Sequence, residues 1–307
     1  MEIKTILITG ANAGLGKESA RQLALLDQTE RIYLGCRNPE RGEAARRELE
    51  QATGKSRFTV VPLDTTDLAS VRAAVAALPG PVDGLILNAG GVVGANSGDK
   101  TADGATLMFA TNVLGHAALV DELLRAGKLT KVVVYAGSEA ACGVKAMRMK
   151  RPSFKSNSVD ELASVIDGSY FDEGADSMQT YGPTKYIAAL WMSAMARKHP
   201  EVRFITMSPG GTAGTNLADT LSGGQAFMMK YLAMPMMRLF GAMHGLEDGG
   251  KRYVTALTDP RFPSGSFWGS PSGKMTGELV DQSTIFADLA NPRFQDNAHE
   301  AIHRFLR

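Results

Sequence analysis

The chain has 307 residues, 33 basic against 32 acidic side chains, and a formal net charge of +1. That balance argues against a dedicated nucleic-acid binder, which usually carries a basic excess. Hydrophobic residues at 44%, with 33 Gly and 13 Pro, exclude a collagen-like, mucin-like or disordered chain and supply enough apolar surface for a sizeable core.

Residues 1–10 run straight into the apolar stretch Ile6 to Ile8, with no secretory h-region or small-residue cleavage site. Two cysteines, Cys36 and Cys142, are too few for a disulfide scaffold, so the expected compartment is reducing and cytoplasmic. Short apolar runs then alternate with helical patterns, the signature of βαβ units on a mostly parallel sheet. Strands are predicted at 5–9, 31–34, 58–61, 84–88, 131–135 and 203–207, and helices at 14–26, 40–51, 68–78, 105–126 and 180–198. The chain reads as a single catalytic domain over 1–307. It carries an insertion at about 141–177, a Met-rich lid at about 212–245 and a C-terminal helix at about 292–306.

The first strand ends in a glycine turn, Thr9 Gly10 Ala11 Asn12 Ala13 Gly14 Leu15 Gly16, which opens a helix. Glycines there let the backbone approach a pyrophosphate and leave amide hydrogens at a helix N-terminus facing its charge. A carboxylate after the second strand would mark NAD. Instead the strand ends in Cys36 Arg37, with Arg41 in the next helix, and a guanidinium fork suits a phosphate, so NADP(H) is the expected cofactor. Asp64 could accept from an adenine amine. Asn88 Ala89 Gly90 forms a turn beside the cofactor.

Tyr181 and Lys185 emerge on one helix face, four residues apart. A phenol is a weak acid or base at neutral pH unless a cation stabilises the phenolate, and Lys185 supplies that cation. Pro183 between them places Tyr181 in the helix's first turn. Ser138, after the fifth strand, could hold a substrate oxygen at the same sheet edge. Asn112, an unusual helix-interior residue, has an amide that could hold a water behind Lys185.

These motifs, with Pro209 Gly210 after the sixth strand, are similar in order and spacing to the short-chain dehydrogenase/reductase family, over about residues 3–260. The resemblance implies an α/β, doubly wound Rossmann fold with a seven-stranded sheet in the order 3-2-1-4-5-6-7. It implies Tyr181 as proton donor or acceptor, Ser138 as carbonyl holder, Lys185 as the pKa-lowering cation and Asn112 as water anchor. Pro209 to Thr215 resembles the segment touching the nicotinamide carboxamide, with Thr212 and Thr215 as candidates. Leu34 to Pro39, Asp103 Gly104, Thr111 to His116 and Gly249 to Arg252 resemble the branch of retinol dehydrogenases and light-dependent protochlorophyllide reductases. The long gap between Ser138 and Tyr181 points the same way. Ile187, however, stands where those photoenzymes have a cysteine. The expected function is NADP(H)-dependent hydride transfer to or from a carbonyl or alcohol of an apolar substrate. The alternatives are reduction of a conjugated C=C bond and a non-catalytic NADP(H) sensor.

Three features carry rival readings. His299 Glu300 Ala301 Ile302 His303 spells a zinc-protease signature, but only four residues follow it, too few for a downstream ligand, so no metal is expected. Met228, Met229, Met234, Met236, Met237 and Met243 suit a substrate lid, a helical core stripe or a membrane-skimming helix. The apolar run at 226–243, broken by Lys230, Pro235 and Arg238, falls short of the ~20 residues of a spanning helix and leaves peripheral membrane contact open. In the insertion, Lys145, Arg148, Lys150, Arg151 and Lys155 precede Asp160, Glu161, Asp167, Asp172, Glu173 and Asp176. That polarity fits a flap pairing with itself or a dock for an anion. Monomer and homo-oligomer both remain open.

Overall fold

The computed structural model describes residues 2–94, 97–144, 149–213 and 243–306. Continuous apolar runs form parallel strands buried on both faces: β1 (Thr5–Thr9), β2 (Arg31–Cys36), β3 (Phe58–Pro62), β4 (Val82–Leu87), β5 (Leu129–Ala136) and β6 (Arg203–Met207). Two short strands follow, β7 (Phe267–Gly269) parallel to β6 and β8 (Val280–Asp281) antiparallel to β7. The order is β3-β2-β1-β4-β5-β6-β7-β8. The doubly wound sheet is therefore as expected, extended by one antiparallel edge strand that the sequence pattern did not announce.

Alternation along each strand sends neighbouring side chains to opposite faces. Leu7, Leu85, Val133 and Tyr135 pack against α3 (Leu68–Ala77), α4 (Leu107–Arg125) and α6 (Ser177–Lys198). Ile6, Ile8, Ile86 and Val134 pack against α1 (Gly14–Ala24), α2 (Pro39–Thr53) and α7 (Leu246–Thr258). Each fully buried aliphatic contributes roughly 1.5–3 kcal/mol. The run forming α4 is long and apolar enough to cross a membrane, and 67% of its most apolar window is buried inside the fold.

Side-chain caps set most helix starts. Asn38 accepts from the Arg41 amide with Pro39 next in line, and Asp67 accepts from the Ala69 amide. Ala13, before α1, offers no side-chain cap. At α6 a capping box between Asp176 and Gln179 starts the helix earlier than expected. Tyr181 therefore lies in the second turn, not the first, and Pro183 stands inside the helix. Its ring removes the bond to the Gln179 carbonyl, at roughly 3 kcal/mol, which burial of the following turns offsets: Tyr186 to Met195 are all buried.

Among its described residues the insertion pairs none of its basic side chains with its own acids. It holds a short 3-10 turn (Glu139–Cys142) and α5 (Val159–Ile166), and it docks on the C-terminal segment ending in α8 (Pro292–His303). Arg151 reaches both oxygens of Asp288 at 2.6 and 2.5 Å, Arg304 reaches Asp160 at 2.7 Å, and Asn297 donates to the Asn157 carbonyl at 2.7 Å. Within the insertion Glu161 accepts from the amides of Lys155, Ser156 and Asn157, and Asp167 from the Ser169 amide. Lys145 and Arg148 lie outside the described residues.

Candidate active site

The C-terminal ends of β1, β2, β4, β5 and β6 open onto one cleft of about 560 Å³. A parallel sheet delivers every such end to the same edge, so residues remote in sequence meet there. Gly10, Asn12, Ala13, Gly14, Leu15, Arg37, Arg41, Asp64, Asn88, Ala89, Gly90, Ser138, Tyr181, Lys185, Pro209, Gly210 and Thr212 all line it. Thr215 and the Met-rich segment, apart from Met243, lie outside the described residues; Met243 lines the cleft.

The glycine turn is closely packed at two of its three glycines, Gly10 and Gly16. Gly10 and Gly14 have φ of 65° and 54°, in the left-handed region that favours glycine. A Cβ on Gly16 would meet Asn88 Nδ2 at 2.5 Å and the Gly10 carbonyl at 2.6 Å. Gly16 thus packs under the turn. The Asn88 amide donates to the carbonyls of Thr9 and Gly10 at 2.9 and 3.3 Å, and the Thr9 hydroxyl accepts from the Asn88 and Ala89 amides at 2.9 and 2.8 Å. Two strand ends are thereby locked together, leaving the uncapped start of α1 facing the cleft, where its partial positive charge suits a phosphate.

Arg37 and Arg41 are exposed at the rim, and among the described residues neither has a carboxylate partner within ion-pair distance. Two uncompensated guanidinium groups fit a further phosphate. Asp64 uses one carboxylate oxygen on Thr66, at 2.9 Å to its amide and 2.7 Å to its hydroxyl.

At the other end Tyr181 is half-buried and lines the cleft together with Ser138, whose hydroxyl accepts from the Ala140 amide at 3.2 Å. Burial pushes the Tyr181 phenol up to about 12; the nearby Ser138 hydroxyl opposes that and Glu139 adds to it. Lys185 is 3% exposed. Burial brings its ammonium down to about 7, and Nζ lies 5.5 Å from the Tyr181 ring centroid. It donates to the Ala136 carbonyl at 2.9 Å and to the Tyr135 hydroxyl at 3.1 Å.

Asn112 sits in a π-helical turn of α4 (Ala110–Leu114). Its amide does not point at Lys185. It clamps Gly91, giving to the carbonyl at 2.9 Å and accepting from the N–H at 3.0 Å, and also gives to the Met108 carbonyl at 2.9 Å. A Cβ on Gly90 would strike its Oδ1 at 2.5 Å. The expected amide-held water is thus replaced by a structural clamp on the 90–91 turn, and what Asn112 presents toward Lys185 is its main-chain carbonyl, through Tyr135.

Sequence reasoning missed five contributors. Glu139 accepts from the Ser208 hydroxyl at 2.5 Å and the Ser270 amide at 3.1 Å, tying β6, β7 and the Ser138 turn together. Tyr253 and Met275 line the cleft. His244 donates from Nε2 to the Pro209 carbonyl at 2.6 Å and lies 3.1 Å from the Thr212 hydroxyl, fixing the turn after β6. Tyr135 could have been noticed as the polar handle that follows Val132, Val133 and Val134 in β5. Ile187 is fully buried in the core, so its position does not face the cleft. His299 stacks on His303 at 3.9 Å, and His303 bonds Asp121 at 2.8 Å, which joins α8 to α4.

Over residues 4–147 the chain matches the family model described as short chain dehydrogenase. Retinol dehydrogenase 11 of Homo sapiens is 40% identical over 124 residues, covering 39% of this chain and only 38% of that protein's length. Dehydrogenase/reductase SDR family member 13 of Homo sapiens is 33% identical over 284 residues, 81% of this chain and 72% of that one. Among solved structures, the NADPH bound carbonyl reductase from chicken fatty liver superposes with a TM-score of 0.59 at 18% identity, covering 91% of this chain and 100% of that chain.

Proposed function

We propose, for a chain that belongs to the short-chain dehydrogenase/reductase family, in its retinol dehydrogenase-like branch, an NADP(H)-dependent interconversion of a carbonyl and an alcohol on an apolar small molecule. The observation that carries this reading is the convergence of Ser138, Tyr181 and Lys185 with the glycine turn on one cleft. NADP(H), when bound, supplies or takes the hydride; the protein orients the reactants and times the proton.

The Ser138 hydroxyl holds the substrate oxygen beside the Tyr181 hydroxyl, which gives the proton in reduction and takes it in oxidation. Burial holds the phenol at about 12 even with Lys185 beside it, where it is a poor base and a sluggish donor near neutrality. An ammonium at Lys185 favours the phenolate and so opposes the effect of burial. Arg37 and Arg41 hold the adenosine phosphate, the amides from Gly14 to Gly16 the pyrophosphate, and Pro209, Gly210 and Thr212 the carboxamide end. Asn112 acts by keeping the 90–91 turn in place.

Val92, Val93, Val144, Met149, Met178, Met243 and Met275 line the remaining wall, which supports an apolar substrate. Cys36 and Cys142 are free thiols, which supports a reducing, cytoplasmic setting. The test is NADPH oxidation across aldehydes, ketones, retinoids and tetrapyrroles, in light and in dark. Dark turnover of an apolar carbonyl supports the reading, and turnover of a tetrapyrrole only in light would replace it with C=C reduction.

A further inference from the structure

Behind Lys185 stands a second phenol. Tyr135 is fully buried near the end of β5, wedged edge-on between His116 at 6.1 Å and Trp191 at 6.4 Å. Its hydroxyl lies 3.1 Å from Lys185 Nζ and 3.1 Å from the Asn112 main-chain carbonyl, and Nζ is 4.7 Å from its ring centroid. The Asn112 carbonyl also lies 3.0 Å from His116 Nδ1, and His116 Nε2 lies 2.9 Å from the Thr9 hydroxyl.

The direction of every bond in this buried chain follows from its two ends. The Thr9 oxygen already accepts two amides; its hydrogen has the Ile86 carbonyl at 3.5 Å and His116 Nε2 at 2.9 Å in reach, and goes to Nε2 because Nδ1 of the same ring faces a carbonyl that can only accept. His116 is then the Nδ1–H tautomer, donating to the Asn112 carbonyl, and burial keeps it neutral with its pKa at about 3. A carbonyl can only accept, so the single Tyr135 hydrogen points at Asn112. The Tyr135 lone pairs therefore face Lys185, which gains an acceptor whose orientation is fixed from outside.

We infer that Tyr135 is a positioning residue for the proton step: it holds the Lys185 side chain beside Tyr181 and keeps it charged there. This rests on the reading of Tyr181 as the proton group. Among the described residues a buried ammonium finds two acceptors, Tyr135 and the Ala136 carbonyl, and burying a cation is costly unless its donors are satisfied. The titratable groups around it are Tyr181 on its own helix, Tyr135 on β5, the neutral His116 on α4, and beyond Tyr181 the Glu139 carboxylate and Tyr253 of α7. No carboxylate bonds Lys185 directly among the described residues, so neutral oxygens stabilise the charge.

The test follows Lys185 itself. In protein labelled with ¹³C and ¹⁵N at lysine, the Lys185 signal, assigned by its loss in Lys185→Arg, is titrated in wild type and in Tyr135→Phe. The phenyl ring keeps the packing and removes the hydroxyl, which is both the acceptor for Lys185 and the donor to the Asn112 carbonyl. The deprotonation midpoint falls by about one pH unit, the scale of one hydrogen bond to a charged group, and the alkaline limb of kcat/KM moves acidward with it. Should Tyr135→Phe fail to fold, 3-fluorotyrosine at 135, a weaker acceptor of the same shape, must shift the midpoint the same way. An unmoved midpoint in a folded variant overturns the inference even if turnover falls. The proposed function fails separately, if wild type and Tyr181→Phe have equal turnover.

Discussion

Gly16 and Asn88 approach so closely that a methyl group on the glycine would sit 2.5 Å from the Asn88 amide nitrogen. The same amide holds the carbonyls of Thr9 and Gly10, so the glycine, the amide and the turn form one unit. Gly16→Ala must push Asn88 aside. Overpacking of this kind costs typically 1–3 kcal/mol, and the distortion falls on the turn that receives the pyrophosphate. Expected in fluorescence titration is NADPH affinity lower by about tenfold or more, with a lowered melting temperature. Unaltered affinity would remove this turn from the cofactor site.

Tyr181→Phe keeps the ring and deletes the proton handle. Loss of a positioned acid or base costs about 10²–10⁴-fold in rate, while NADPH affinity stays within about twofold because the phosphate and ribose contacts remain. Stopped-flow turnover and equilibrium binding measured together separate the two, and a variant with near-native kcat would refute the role.

Arg37→Asp removes a guanidinium from the rim and puts a carboxylate in its place. Preference for NADPH over NADH should fall by about ten- to a hundredfold, since a charge-assisted bond is lost and repulsion added. The check is the ratio of kcat/KM for the two cofactors; if it does not change, the phosphate lies elsewhere.

Arg151 and Asp288 fasten the insertion to the C-terminal segment, with Tyr186 also donating to Asp288 at 2.8 Å. Burial raises the carboxyl pKa, but the bonds from Arg151 and Tyr186 outweigh it and hold the group below its usual 3.8. A depressed carboxyl pKa adds stability that is fully present above the unfolded value and is lost as pH falls through the folded one. Asp288→Asn should therefore destabilise at pH 7, by about 1–2 kcal/mol for a half-buried pair. The gap to wild type should narrow as pH drops below about 4. Denaturant melts at several pH values measure this, and a pH-independent gap would mean that the charge is not what matters.

The half of the cleft built from the glycine turn and the two arginines was legible because its signals are local. A glycine turn, a missing carboxylate and a pair of arginines each lie within a few residues of a strand end, and strands buried on both faces announce themselves as apolar runs. What failed to show was long-range or small. Strands β7 and β8 have three and two residues, too short for any period. The partners of Arg151 and Asp160 lie more than a hundred residues away, where charge patterning along the chain sees nothing. Asn112 was singled out correctly as unusual, yet its amide serves Gly91, because one turn of α4 is π-helical and aims it at the neighbouring loop. Pro183 misled the helix start, since a capping box upstream outweighed it.

The most direct measurement is a crystal structure with NADPH bound. The account predicts the adenosine 2′-phosphate between Arg37 and Arg41, the pyrophosphate over Gly14 to Gly16, and the nicotinamide ring beside the Tyr181 hydroxyl with Ser138 and Lys185 on the same side. A ring lodged away from Tyr181, or a 2′-phosphate with neither arginine near it, would contradict it.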